Sequence, residues 1–129
     1  MKVPPTSTPI TETIIAIEDA YVNQNNSTQN YGWSQSIRVD GSPVLRSYLR
    51  FDLSHISTPI QSATLRIYGN SSSNFGYNVH RISDHNWEEL TVNYDNGPDL
   101  GSIFANSGVF PSQSWTEVDV SLLVTSGGI

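Results

Sequence analysis

Apolar and polar residues alternate along several short segments of the chain. The clearest is 45–53, LRSYLRFDL, in which leucines and a phenylalanine fall on one face and arginines, a tyrosine and an aspartate on the other. Successive side chains of a β-strand point to opposite faces of a sheet, so this pattern predicts a half-buried strand. Further strands are predicted at 13–22, 36–40, 60–69, 76–83 and 114–120. The side chains predicted to be buried are Leu45, Leu49, Phe51, Leu65 and Ile67.

Turn signals separate these segments, and the pattern shows no helix of ordinary length. Asp40-Gly41 is typical of a tight turn, and the Asn-rich stretch 23–30 is typical of a loop. Ser121 is expected to cap a single helical turn that runs through Val124. Short strands broken by turns predict an all-β fold, an antiparallel β-sandwich of the jelly-roll type, with less than about a tenth of its residues in helices.

The composition supports this fold class and a single domain. Six Tyr and three Trp accompany many Val and Ile residues, and β-branched and aromatic side chains favour strands. A chain of 129 residues can bury an ordinary core without disulfides. Residues 1–12, rich in proline and threonine, are predicted to be a linker, which leaves 13–129 as the folded module.

The charge of the chain excludes several classes of partner. Only 14% of residues are charged, the formal net charge is −6, and the pI is near 4.7. A general basic surface for nucleic acid or for an anionic membrane is therefore not expected. The chain has no cysteine, which excludes disulfides and thiolate metal sites, and no apolar run approaches membrane-spanning length.

Catalytic motifs are absent from the sequence. It contains no Gly-x-Ser-x-Gly, no His-Glu-x-x-His and no phosphate-binding glycine loop, and His55, His80 and His85 lack metal-ligand spacing. Glu88 and Glu89 are adjacent, so on a strand they would face opposite ways and could not flank one glycosidic bond. We therefore predict that the domain is not an enzyme and requires no cofactor.

Several fragments resemble, in order and spacing, a family of secreted bacterial β-sandwich modules. The resemblance covers roughly residues 17–124 and is to the DNRLRE or disaggregatase-related domains, also classed as carbohydrate-binding module family ninety-six. The fragments are Asp19-Ala20-Tyr21-Val22, Asn30-Tyr31-Gly32, Arg46-Ser47-Tyr48-Leu49-Arg50-Phe51-Asp52-Leu53, Ile60-Gln61-Ser62-Ala63-Thr64-Leu65, Trp87-Glu88-Glu89, Asn96-Gly97-Pro98 and Trp115-Thr116-Glu117-Val118-Asp119-Val120.

The resemblance implies a function and a location. It implies a non-catalytic, extracellular module that binds a polysaccharide, alginate-like and anionic, and that targets a covalently linked enzyme or cell-surface protein. It also implies that Trp87 and Glu89 pack at a corner of the sandwich. A structural calcium ion held by Asp19 and Asp119 is left open; the loop Asp95-Asn96-Gly97-Pro98-Asp99 lacks calcium-loop spacing and is expected to be a turn.

The chain departs from the family pattern in two places. Asn93-Tyr94-Asp95 stands where the family usually shows Thr-Trp-Asn, so the chemistry of that loop is expected to differ. Similar domains also continue beyond the position of Val124 into further strands. From this we expect the module to lack its closing strands, which would favour strand donation or self-association at the open edge.

The arginines carry the predicted binding site. Arg38, Arg46, Arg50 and Arg66 alternate with apolar residues, so they are expected to point out of the sandwich. With Tyr48 and Tyr68 they would form a basic patch for a uronate polymer, because guanidinium groups engage carboxylates bidentately. The alternative is cross-strand pairing of these arginines with exposed carboxylates such as Asp40 and Asp52. If the patch is not the site, the loop aromatics Tyr31, Trp33 and Trp87 are the next candidates.

A second function stays open at this stage. The sandwich could serve as a structural or adhesive spacer in a long bacterial surface protein, with no ligand of its own. Retardation of the domain in a native gel that contains a polysaccharide separates the two functions.

Overall fold

The computed structural model describes residues 10–125 of the chain. Residues 1–9, which are most of the predicted linker, lie outside the described residues, and so do residues 126–129. The prediction that closing strands are missing concerns this C-terminal end and also lies outside the described residues. Seven strands and two short helical segments are present in the part described. The strands are β1 Glu18–Asn23, β2 Asp40–Gly41, β3 Val44–Arg50, β4 Thr64–Gly69, β5 Asn78–His80, β6 Ile103–Asn106 and β7 Ser114–Asp119; the helical segments are a 3₁₀ turn, Gln24–Asn26, and α1, Ser121–Thr125.

All the strands pair antiparallel, in three small sheets. One sheet has the order β1-β3-β2, the second pairs β4 with β7, and the third pairs β5 with β6. The predicted all-β, antiparallel fold class is therefore confirmed. Neither helical segment in residues 10–125 is longer than five residues, and none is long and apolar enough to cross a membrane.

The segments with the cleanest alternation are also the best predicted. The patterns at 45–53, 60–69 and 114–120 correspond to β3, β4 and β7. The predicted helical turn is present as α1, but Ser121 is its first residue, and the Asp119 side chain accepts from the Ser121 N–H. Segment 36–40 was predicted as a strand, but the strand there is only Asp40–Gly41. The short strand β6 has no period-two pattern and was not predicted.

The main hydrophobic core lies on the face of β3 that was predicted to be exposed. Register places Ala20 opposite Tyr48, and the two pack with Val22, Trp87 and Val92, all of them buried. The covering layer is the irregular segment 82–100, whose lack of periodicity gives no sequence signal for packing. On the predicted core face, Leu45 is buried, whereas Leu49, Phe51, Leu65 and Ile67 are half-buried.

Arg50 and Glu89 fasten segment 82–100 to the first sheet. The Arg50 guanidinium pairs with Glu18, donates to the backbone carbonyls of His85 and Trp87, the latter at 2.7 Å, and lies 4.7 Å from the Trp87 ring centroid. The Glu89 carboxylate accepts a hydrogen bond from the Asp19 backbone N–H at 2.9 Å. Trp87 and Glu89 thus have the packing role that the family resemblance implies.

The predicted turn at residues 95–99 is also present. Asn93 and Asn96 close it reciprocally, because each side-chain oxygen accepts a hydrogen bond from the other residue's backbone N–H at 2.8 Å. The Tyr48 hydroxyl donates to the Pro98 carbonyl at 3.1 Å, and the Gly97 backbone passes so close that an added Cβ would lie 2.8 Å from that hydroxyl. The turn therefore packs directly on the core.

Candidate functional site

The predicted patch of four arginines does not form a single surface. Arg46 and Arg50 lie on β3, Arg66 lies on β4, and Arg38 precedes β2. Strands β3 and β4 belong to different sheets, so the shared sheet on which the prediction depended is absent from the described residues. The prediction that these arginines share one sheet was therefore wrong.

Within that patch, the exposure predicted for Tyr48 was also wrong. Its side chain is only 3% exposed, because segment 82–100 covers this face of β3. Arg46 and Arg50 share the covered face: Arg46 lies 5.1 Å from the Tyr94 ring, and Arg50 is held by Glu18 and Trp87. Their guanidinium groups therefore serve packing between the sheet and its covering segment.

Burial changes the acidity of the Tyr48 hydroxyl. Desolvation raises its pKa above the ordinary value of 10.0, and the hydrogen bond from Arg46 opposes this rise. At neutral pH the hydroxyl keeps its proton, which it donates to Pro98. Tyr48 is thus a core residue and unavailable to a ligand.

The outer face of the β4–β7 sheet is exposed, as predicted for its individual residues. Thr64, Arg66 and Tyr68 of β4 pair across the strands with Asp119, Glu117 and Trp115 of β7, respectively. The opposite face carries Leu65, Ile67, Thr116 and Val118, and it is closed by a hydrogen bond of 2.6 Å between Tyr77 and Thr116. We refer to Arg66, Tyr68, Trp115 and Glu117 as the β4–β7 platform.

The platform is a preformed arrangement of rings and charges. The Tyr68 and Trp115 rings lie 5.4 Å apart in an edge-to-face geometry, and Tyr68 is 45% and Trp115 56% exposed. The Arg66 guanidinium lies 4.5 Å from the Trp115 ring, and its Nε forms an ion pair with the Glu117 carboxylate at 3.2 Å. The cross-strand pairing that was the alternative for these arginines thus occurs at Arg66, with Glu117 as its partner.

Part of the Arg66 guanidinium is still available. Among the described residues, no protein acceptor lies within hydrogen-bonding distance of its Nη1 or Nη2 groups, and the side chain is 53% exposed. The neighbouring carboxylate of Asp119 is occupied by the start of α1, where it accepts from the Ser121 hydroxyl at 2.6 Å and backbone N–H at 2.9 Å. These hydrogen bonds lower the pKa of Asp119 below its ordinary 3.8. Arg66 therefore keeps free hydrogen-bond donors on the platform.

The loop aromatics differ in their surroundings. Trp87 is 7% exposed and belongs to the core, so its candidacy as a stacking surface was wrong. Tyr31 stacks on Tyr21 with ring centroids 4.4 Å apart. Trp33 is 83% exposed. Arg38 is exposed as well, and its guanidinium lies 5.9 Å from the Tyr21 ring.

The carboxylates considered for catalysis and for metal binding lie in different surroundings. Glu89 is occupied by the Asp19 backbone, whereas Glu88 lines a surface depression of about 300 Å³ together with Asp84. Within residues 10–125, no group of three or more His, Asp or Glu side chains could hold a metal ion. Asp19 and Asp119 lie on different sheets, and the structural calcium ion stays a prediction.

Two residues of the platform were missed by the sequence interpretation. Trp115 and Glu117 were recognised as outward-facing residues of a strand, but not as partners of Tyr68 and Arg66. The signal available was their alternation with Thr116 and Val118. What the sequence lacks is the register of β4 against β7, because these strands are separated by more than forty residues.

Comparison with known proteins gives the family of the chain. No curated protein matches the chain in sequence. The family model for carbohydrate-binding module family 96 matches residues 10–127, which is nearly the whole chain and includes every residue of the platform. Modules of such families bind carbohydrate without catalysis, in keeping with the absence of catalytic motifs from the sequence. The chain belongs to carbohydrate-binding module family 96 and is a non-catalytic carbohydrate-binding module.

Proposed function

We propose that the domain binds a polysaccharide on the β4–β7 platform. The observation that carries the proposal is a pair of neighbouring aromatic rings, Tyr68 and Trp115, both about half exposed on a sheet. Large aromatic side chains exposed side by side mark interaction surfaces, because leaving them in water forgoes the stability that burial gives. A carbohydrate ligand would cover them.

The chemistry of the platform suits a sugar. An aromatic ring has an electron-rich face, against which the polarised C–H groups of a pyranose pack well. The free Nη groups of Arg66 can donate to a sugar oxygen, and the Glu117 carboxylate can accept from a hydroxyl. The platform is an open sheet face rather than a pocket, so it favours the length of a polymer over the end of a small sugar.

We propose an anionic, alginate-like polymer as the ligand class. The support is the basic character of Arg66, together with the family to which the chain belongs. A guanidinium can bind a uronate carboxylate bidentately, and Nη1 and Nη2 are free to do so. With the four-arginine patch gone, this preference depends on Arg66, and Glu117 works against it. In the parent protein the module would target a linked enzyme or surface domain to the polymer outside the cell.

Affinity electrophoresis in native gels tests the proposal. Gels that contain alginate, polygalacturonate or a neutral glucan should show retardation of the wild type by at least one polymer. Replacing Tyr68 and Trp115 together by Ala should remove it, because both rings that would stack on the sugar are lost. Phe75→Ala is the matched control, since Phe75 is 88% exposed but lies outside the platform.

The same gels contain the outcomes that would contradict the proposal. Equal retardation of the wild type and the Tyr68→Ala/Trp115→Ala variant would place the ligand elsewhere. No retardation by any polymer would favour the alternative function, a structural or adhesive spacer.

The charge preference has a separate test in Glu117→Gln. This change removes the negative charge that pairs with Arg66, so binding to alginate should strengthen by about threefold or more while binding to a neutral glucan stays unchanged. Arg66→Gln should weaken alginate binding. If both variants bind alginate with the affinity of the wild type, the platform does not recognise the charge of the ligand, and the proposed preference for an anionic polymer is wrong.

A further inference from the structure

Trp33 is the most exposed tryptophan of the domain, and it lies on a different element from the platform. Its side chain is 83% exposed, compared with 56% for Trp115 and 7% for Trp87. It belongs to the loop between β1 and β2, two strands of the first sheet, whereas the platform lies on the β4–β7 sheet. In the described residues no aromatic ring or guanidinium packs on the Trp33 indole. The indole is therefore accessible to a ligand.

The loop that carries Trp33 is held in place by its neighbours. The Asn30 side-chain amide donates to the backbone carbonyls of Glu89 at 2.9 Å and Val92 at 2.7 Å, and its oxygen accepts from the Gly32 N–H at 3.0 Å. At Gly32 any added Cβ would collide with the Glu89 carbonyl, so the backbone approach requires glycine. A loop fixed in this way presents the indole outward in a defined position.

Polar groups suited to a sugar follow Trp33 along the chain. Gln35 and Arg38 are both exposed, and the Gln35 side chain makes no hydrogen bond within residues 10–125. The backbone of Arg38 is fixed by Ser47, whose hydroxyl accepts from its N–H at 3.0 Å and donates to its carbonyl at 2.7 Å. One stretch of the loop thus carries an exposed indole, an amide and a guanidinium, and the indole and the guanidinium are groups that the platform also presents.

We infer that the Trp33 loop is a second carbohydrate-contacting surface, independent of the β4–β7 platform. The inference rests on the polysaccharide ligand of the proposed function but does not depend on the platform being its site. Two weak contacts on one repeating polymer raise the overall affinity through effective concentration, provided that the polymer reaches both. The domain would then hold a polymer more tightly than it holds a short oligosaccharide.

Nuclear magnetic resonance can observe the two surfaces separately. The protein contains three tryptophans, so a ¹⁵N-labelled sample gives one indole N–H signal each for Trp33, Trp87 and Trp115, which Trp33→Ala and Trp115→Ala assign. Trisaccharides of alginate and of a neutral glucan are the probes, since they are too short to connect distant sites. We expect the Trp33 and Trp115 signals to shift with the sugar and the buried Trp87 signal to stay fixed. In Trp115→Ala, the Trp33 signal should shift along the same concentration curve.

Affinity electrophoresis of the single variants adds a second readout. Trp33→Ala should weaken retardation by the retaining polymer by about tenfold or more, because one of two contacts is lost. Since the indole is almost entirely exposed, the variant should melt at the wild-type temperature. A melting temperature that falls would reveal a structural role for Trp33. In that case, weaker retardation of Gln35→Ala and the Trp33 titration curve of the wild type decide whether the loop contacts the sugar.

The outcomes separate this inference from the proposed function. A Trp33 signal that stays fixed while Trp115 shifts would overturn the inference and leave the platform intact. A Trp33 signal that shifts while Trp115 stays fixed would overturn the platform and support the loop. If the Trp33 shift disappears in Trp115→Ala, the two rings act as one site and independence is refuted. A wild type that responds to no trisaccharide and no polymer would overturn both.

Discussion

At the scale of single residues, each of the four arginines predicted to bind ligand lies over an aromatic ring. The ring partners of Arg38, Arg46, Arg50 and Arg66 are Tyr21, Tyr94, Trp87 and Trp115, at 5.9, 5.1, 4.7 and 4.5 Å. A guanidinium is planar and weakly hydrated, so it stacks on rings as readily as it binds carboxylates. Alternation along β3 correctly placed Arg46 and Arg50 on one face of that strand. It could not tell whether that face meets water or a covering segment.

Tyr48 provides a prediction at this scale. Tyr48→Phe should lower the free energy of unfolding at neutral pH by about 1 kcal/mol, because it removes the hydrogen bond to Pro98 and frees no space. Carbohydrate binding should not change, since the side chain is buried. Urea unfolding followed by tryptophan fluorescence measures the difference.

The raised pKa of Tyr48 adds a pH dependence with a definite sign. The folded state holds this proton more tightly than the unfolded state, whose Tyr pKa is near 10.0. Stability contributed by the protonated phenol is therefore complete below that value and is lost as pH rises above about 10 toward the folded pKa. In urea melts from about pH 8 to about pH 11, the wild type should lose stability more steeply than Tyr48→Phe. Parallel curves would contradict the buried placement of Tyr48.

At the scale of elements, sequence periodicity correctly predicts the strands that have one solvent-exposed face. Strands β4 and β7 have an exposed and a covered face, and their side chains were assigned to the correct faces. Strand β3 lies between β1 and β2 in its sheet, and segment 82–100 covers the face that carries Tyr48, so its alternation of apolar and charged residues does not report exposure. That covering segment is irregular and polar at many positions. Its packing is decided by tertiary hydrogen bonds, such as those of Arg50 and Glu89, which no local pattern encodes.

Arg50 tests how the covering segment is attached. Arg50→Lys keeps the charge, but one ammonium cannot pair with Glu18, reach the two carbonyls and stack on Trp87 together. We expect a loss of about 2 kcal/mol in the free energy of unfolding, as for a largely buried ion pair that loses part of its hydrogen bonding.

Arg38→Lys is the matched control for this change. Its side chain is exposed and forms no ion pair within residues 10–125, so the free energy of unfolding should stay within about 0.5 kcal/mol of the wild type. Equal effects of the two substitutions in urea unfolding would show that Arg50 does not fasten segment 82–100 to the sheet.

At the scale of the whole molecule, the domain has a net charge of −6, and its candidate ligand surfaces are formed by exposed aromatic rings rather than by a large basic patch. The fold class, the non-catalytic character and the family follow from patterns and fragments visible in the sequence. The position of the binding surface does not, because it depends on the register between β4 and β7 and on which faces the irregular segments cover. Of the residues predicted from the sequence to bind ligand, Arg66 and Tyr68 belong to the β4–β7 platform. The structure adds Trp115 and Glu117 beside them.

The most direct test of the platform is to observe the sugar against its two rings. An isotope-filtered nuclear Overhauser experiment on the labelled domain, with an unlabelled oligosaccharide of the polymer that retards it, detects sugar C–H protons close to protein side chains. Because the rings lie 5.4 Å apart on one exposed face, we predict cross-peaks from the same sugar residue to both Tyr68 and Trp115. Cross-peaks to other side chains, with none to Tyr68 or Trp115, would contradict the assignment of the β4–β7 platform as the polysaccharide-binding surface.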